Sequence, residues 1–260
     1  MSLIGNMLRS HGYSDCPSVC ADPTMPPDLL VKLVRCAEQL PDPRGHTLAA
    51  NPAVPIDLLV PLLRHYPLSV TQNPVFRIAL ATTPGFIESL PEFSHRQIAS
   101  SEGMDQRLIR MVAGERRHSV WVREAAAQNP SCPMAMLEDF PRHAWKVRRA
   151  LANNPQLTES LQRRLAQDQK RHVREQLAVH PNLLPELFKQ LSEPTEHRFV
   201  RMALLRNPNV PQSVVERILA EGTPMVREAA RFRLDTMTDQ QREPTPPTSE
   251  RTHDDSQPIR

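Results

Sequence analysis

Four cysteines are the side chains in this chain best suited to holding a metal or a cluster: Cys16, Cys20, Cys36 and Cys132. The first three are spaced C-x3-C-x15-C, and the fourth follows only after 95 further residues. An iron–sulfur cluster is held by four thiolates. Zinc takes four ligands as well, and histidine can serve as one of them. Cys16, Cys20 and Cys36 are therefore the candidate metal ligands, with His11, His46 and Asp15 close by in sequence. The leading reading is that the three cysteines pack in an irregular N-terminal cap and hold no cofactor. A 4Fe-4S centre comes second and zinc third.

The second chemical feature is basic. Arg77, Arg123, Arg148, Arg174 and Arg201 stand seven residues before recurring proline anchors, and Arg227 stands seven before Leu234, which closes a final half-repeat. Arg142, His143, Trp145, Lys146 and Arg149 cluster in one loop, and Arg116, Arg117, His118 and Trp121 in the loop before it. Arginines at a regular interval with interleaved tryptophans would grip phosphates and stack on bases. The structural alternative is that an arginine locked to a repeat hydrogen-bonds the free carbonyls at a helix end. Glu124, Glu175 and Glu228 directly follow three of these arginines, which favours a charged ladder between repeats. The binding candidates are Arg123, Arg142, Trp145, Lys146, Arg148, Arg149, Arg174 and Arg201.

Both features are set by a phrase that recurs along the chain. VREAAAQNP at 122–130 returns as VRRALANNP at 147–155, VREQLAVHP at 173–181 and VRMALLRNP at 200–208. The closing prolines lie 25, 26 and 27 residues apart. A fixed period of this size means stacked structural repeats. Traced outward, the anchors are Pro23, Pro52, Pro84, Glu102, Pro130, Pro155, Pro181 and Pro208, with a closing half-repeat at 226–234. Regular spacing fails between Pro52 and Glu102, where the segment 65–74 reads as an insertion.

Apolar residues fill the columns two, six and ten residues past the anchors, such as Leu157, Leu161 and Leu165, with Ser94 breaking the last column in the shortened repeat. Offsets of four place them on one helix face. Small or apolar pairs such as Ala126/Ala127 and Leu151/Ala152 precede each corner. The Asn-Pro pair ends that turn, because the residue before a proline is pushed out of the α region. Each repeat thus reads as a helix, a linker, a tight helical turn and a corner. No single repeat can bury its apolar face, and stacking about eight of them makes one core.

The pattern VRxALAxNPxxPxxxLxxLA resembles the leucine-rich repeat variant family over 22–235. The resemblance implies an all-α, right-handed solenoid that alternates α-helices with short 3-10 helices and has no strands. One branch of that family carries an N-terminal cysteine cluster with a 4Fe-4S centre, and this chain matches it only in part. The expected organisation is a cysteine-containing cap at 1–21, the repeats at 22–235 and a disordered tail at 236–260.

Composition bounds the function. Residues 110–235 carry 21 basic and 14 acidic side chains, so the net charge of +3 has its positive side in the regular repeats. No apolar run reaches the roughly 20 residues of a membrane span, and the N-terminus lacks a secretory core, so a cytoplasmic protein is expected. Seven glycines leave no phosphate-cradling loop, and no G-x-S-x-G, H-E-x-x-H or C-x-x-C motif occurs. The chain is expected to be no enzyme. The expected function is a protein-interaction scaffold, with a nucleic-acid-binding solenoid as the alternative and an iron–sulfur accessory protein as the third reading. Cys132, in an otherwise apolar column, is expected to be buried and inert.

Overall fold

The computed structural model describes residues 3–14, 17–39, 42–114 and 119–242. Among the described residues the chain is all-helical, with no strand. In chain order the helices are α1 (Leu3–Ser10), α2 (Pro27–Gln39), α3 (Arg44–Ala50), α4 (Ile56–Leu62), α5 (Pro67–Gln72) and α6 (Pro74–Thr82). There follow α7 (Phe86–Ser89), α8 (Glu92–Ser100), α9 (Gln106–Ala113), α10 (Val120–Gln128), α11 (Met134–Asp139) and α12 (Trp145–Leu151). The last six are α13 (Glu159–Ala166), α14 (Arg171–Ala178), α15 (Pro185–Leu191), α16 (Arg198–Leu205), α17 (Gln212–Glu221) and α18 (Pro224–Arg242).

From α2 onward they form pairs, each a leading helix and a trailing helix. The trailing helices α3, α5, α8, α10, α12, α14, α16 and α18 each contact the trailing helix before and after them in the series. The leading helices make a second row, in which α2 meets α4, α4 meets α6 and α13 meets α15. The core lies between the rows. Leu33, Leu62, Val112, Phe140, Leu165, Leu191 and Ile218, the column ten past the anchors, are all buried. Cys132, Leu157, Leu183 and Val210 bury the column two past them.

A ladder of buried asparagines joins the units. The Asn154 amide Nδ2 donates to the Ala127 and Asn129 carbonyls of the unit before it, at 2.8 and 3.0 Å. Its Oδ1 accepts from the Gln156 N–H at 2.8 Å, holding the corner. Asn51, Asn73, Asn129 and Asn207 each make the same three bonds with their own neighbours. In one unit His180 takes the place. Its Nε2 lies 3.1 Å from the Asn154 carbonyl and its Nδ1 accepts from the Asn182 N–H, which fixes the tautomer. Ser101 breaks the series, because its hydroxyl turns back to the Gln97 carbonyl of its own helix. At the far end Arg233 stands where the next asparagine would, and its Nη2 donates to the Asn207 carbonyl at 3.2 Å.

The ladder corrects the expected register. Asn73 makes the full set of bonds, so Pro74 and not Pro84 is the anchor, and 65–74 is no insertion. Residues 67–72 are the trailing helix α5, and the long unit is the next one, where α6 and α7 together lead into α8. Arg77 lies on exposed α6 and leaves the arginine column; His95 holds that position in α8, its Nε2 2.7 Å from the Ile87 carbonyl.

Two further expectations change. The trailing elements are α-helices and not 3-10 helices, because at six residues or more they are long enough to close i→i−4 bonds. The 3-10 turns described are Pro17–Ala21 and Phe140–Arg142, the latter where Pro141 supplies no N–H. The last helix does not end near 235 but continues to Arg242, because it meets no Asn-Pro corner. Residues 243–260 of the expected tail lie outside the described residues.

Candidate functional site

The cysteines do not assemble into a ligand set among the described residues. Cys16 and Asp15 lie outside them. Cys20 is fully buried in the 3-10 turn, and its carbonyl accepts from Asn51. Cys36 lies in the last turn of α2 and packs against the core. Burial pushes both thiols up, with Arg44 partly opposing this at Cys20, so neither is set up as a thiolate. His11 bonds the Met7 carbonyl, and His46 faces the Ser69 hydroxyl. No three His, Cys, Asp or Glu side chains among the described residues come together as a metal site. The described members of the set, Cys20, Cys36, His11 and His46, do not by themselves form a 4Fe-4S or zinc site.

Cys132 is 1% exposed, and burial pushes its thiol up to about 12. It is expected to resist a bulky thiol reagent at pH 8 in the native state. Cys132→Val is expected to change stability by less than about 1 kcal/mol. Because the folded thiol keeps its proton where the unfolded one loses it, the wild-type chain loses stability between its ordinary value of 9.0 and about 12. Chemical denaturation across that range checks this, since the valine variant should lack that share of the loss.

The arginine column is largely tied up inside the fold. Arg148 on α12 reaches the loop before α14, where its Nε and Nη2 donate to the Asp168 carboxylate at 2.5 and 3.0 Å. Its Nη1 donates to the His143 carbonyl at 2.7 Å. Arg174 on α14 repeats the arrangement one unit on: Nε and Nη2 donate to Glu196 at 2.8 and 2.7 Å, and Nη1 donates to the Asp168 carbonyl. Burial raises the Asp168 carboxyl, but the Arg148 hydrogen bond, the Lys170 N–H and the two arginine charges outweigh it and hold it below its ordinary value. Arg123 is also engaged by a neighbouring group. Arg201 is 4% exposed. Arg148 and Arg174 thus brace neighbouring units and offer little to an external phosphate, whereas Arg201 is buried without such a carboxylate partner. Arg142 is solvent-exposed and pairs with Asp139 at 3.4 Å; Arg149 is exposed. Arg116, Arg117 and His118 lie outside the described residues.

A different surface gathers aromatic and cationic side chains. It runs over the first turns of the trailing helices, eight or nine residues before each ladder position. Arg64 lies over the Phe93 ring at 5.4 Å. Phe93, Glu92, Arg96 and Trp121 line a cleft between α8 and α10. Lys146 sits over the Trp121 ring at 4.7 Å, and the Trp145 ring lies 5.3 Å from His172. Arg171 and Arg198 flank Phe199 at 4.9 and 5.0 Å. The stripe opens into a groove of about 1210 Å³ between α14, α16 and α18, floored by Phe199, Met202, Met225 and Phe232 and rimmed by Arg171, Glu175, Arg206 and Glu228. Phe232 is 72% exposed and Trp121 53%.

Compared with family models, curated proteins and solved structures, the chain matches none. The surface therefore has to be read from its own chemistry. Of the sequence candidates, the structure brings Trp145 and Lys146 onto this stripe and leaves Arg142 apart from it. Phe93, Phe199, Met225 and Phe232 were not singled out by sequence reasoning. The signal that finds them is the column eight before the ladder residue, which reads Phe93, Trp121, Lys146, His172, Phe199 and Met225, with Phe232 two turns further along α18. No helix among the described residues is long and apolar enough to cross a membrane.

Proposed function

We propose that the chain is a non-enzymatic, cytoplasmic α-solenoid of the leucine-rich repeat variant kind, binding a protein partner along the trailing-helix stripe. The observation that carries this reading is the groove at the end of the stripe, where three large apolar side chains stand exposed side by side. Scattered surface hydrophobics are ordinary, whereas an apolar patch rimmed by charges marks an interaction site. Its aromatic, methionine and arginine content is that of interface centres. The cations set against the Phe93, Trp121 and Phe199 rings suit a peptide carrying both aromatic and acidic side chains.

Nucleic acid is the second reading, supported by the cation-flanked tryptophans and opposed by the internal pairing of Arg148 and Arg174. One experiment separates the two. Peptides selected from a random display library on the intact protein are expected to lose at least tenfold in affinity against Phe199→Asp/Phe232→Asp. They should keep it against Lys189→Asp on α15. Selected peptides indifferent to the groove variant would overturn the protein-binding reading. Tight, salt-steep binding of single-stranded DNA lost in Trp121→Ala/Lys146→Ala would put nucleic acid in its place.

A further inference from the structure

The two bracing arginines show what a third one lacks. Asp168 and Glu196 each do two things at once. Each takes the guanidinium of the trailing helix before it, and each accepts a backbone N–H where the next trailing helix begins: Asp168 Oδ1 from Lys170 at 2.8 Å, Glu196 Oε1 from His197 at 2.6 Å. The carboxylates stand 20 and 22 residues after their arginines.

Arg201 leaves α16 at the same register position, six residues before its ladder asparagine. Twenty-one residues on, two before α18, stands Gly222, which has no side chain to offer. Arg201 is more than nine-tenths buried, and its Nε and Nη1 have no hydrogen-bond partner. The nearest acid in sequence to Gly222, Glu221, pairs with Arg217 at 3.3 Å. At the start of α18, a helix of 19 residues, the Arg227 N–H is satisfied by Thr223. The Met225 and Val226 N–H groups have no acceptor among the described residues. The chain cannot fill the slot at Gly222 itself, since a Cβ there would stand 2.5 Å from the Ile218 carbonyl oxygen.

We propose that Arg201 and the N-terminus of α18 form an oxyanion site, whose ligand is a carboxylate or phosphate group taking the place that Asp168 and Glu196 fill in the two preceding units. A buried guanidinium without a partner is costly, and a long helix's free first-turn N–H groups favour an anion. The planar fork of arginine suits a two-oxygen ligand.

The test is the melting temperature of the full chain, titrated with sodium acetate and separately with sodium phosphate against sodium chloride at fixed ionic strength. A saturable rise of roughly 5 °C at a hundredfold excess over Kd is expected in one arm or both. The arm that responds tells a carboxylate from a phosphate. Arg201→Met is expected to lose the response and, in chloride alone, to melt no lower than wild type, the opposite of the effect expected for Arg174→Met. Thr223→Asp, which supplies a carboxylate from within, is expected to lose the response as well and serves if Arg201→Met fails to fold. Flat titrations in both arms, or an equal rise in the variants, would overturn the site.

Discussion

Asn154→Ala is expected to destabilise the protein by about 3–5 kcal/mol. The substitution leaves the Ala127 carbonyl and the Gln156 N–H without partners, removes one of the two donors to the Asn129 carbonyl, and empties a fully buried site. Each such group costs about 1–3 kcal/mol when stranded. For a chain of this size that is a fall in melting temperature of roughly 10 °C. Asn154→Asp should be at least as severe, since it keeps the acceptor for Gln156 but turns a negative oxygen toward two carbonyls. His180→Asn should act in the opposite direction, by about 0.5–1 kcal/mol, because the amide adds a second donor where the imidazole has one. Calorimetry of the three variants checks the set. An Asn154→Ala protein that melts within 2 °C of wild type, on the order of half a kcal/mol, would show that the ladder does not hold the units together.

Arg174→Met comes next, at about 2–3 kcal/mol. It strands Glu196, whose side chain is only 12% exposed, and frees the Asp168 carbonyl. Removing one member of a buried ion pair is worse than removing both, and the residual exposure scales the figure down. Arg174→Met/Glu196→Met should therefore recover most of the loss. A double-mutant cycle decides it: additive losses would mean that the pair carries no coupling. The neighbouring pair has a matching pH signature. Because Asp168 titrates below its ordinary value in the folded state, its contribution is fully present above about pH 3.8 and is lost as the pH falls through the lower folded value. Arg148→Met should flatten that acid limb.

The repeat itself was legible because proline and the apolar columns print directly into the sequence. What the proline hid was its predecessor. Reading Asn-Pro as a corner explains why the helix stops but not why the residue is asparagine, and the answer lies in carbonyls 22 to 31 residues away in sequence. The same gap misplaced one anchor. Asn73-Pro74 was present as a dipeptide, but the repeat it closes is only 22 residues long, and a regular period points past it. The arginine column was visible, yet its acids Asp168 and Glu196 sit at unequal offsets, 20 and 22. The stripe was the least legible, because its column changes type from aromatic to cation to methionine. It becomes one surface only when the helices are set side by side.

The asparagine ladder has a consequence for how such a chain can change length. Each rung asks its neighbour for two backbone carbonyls and nothing else. Every sequence supplies those, so the polar half of the junction is indifferent to what the adjoining unit is made of. A unit that carries its own asparagine could be duplicated, deleted or exchanged without rewriting the one before it. The unit that carries Ser101 is an exception, since its hydroxyl turns back to its own helix, and so is the one where Arg233 holds the rung with a guanidinium in place of an amide.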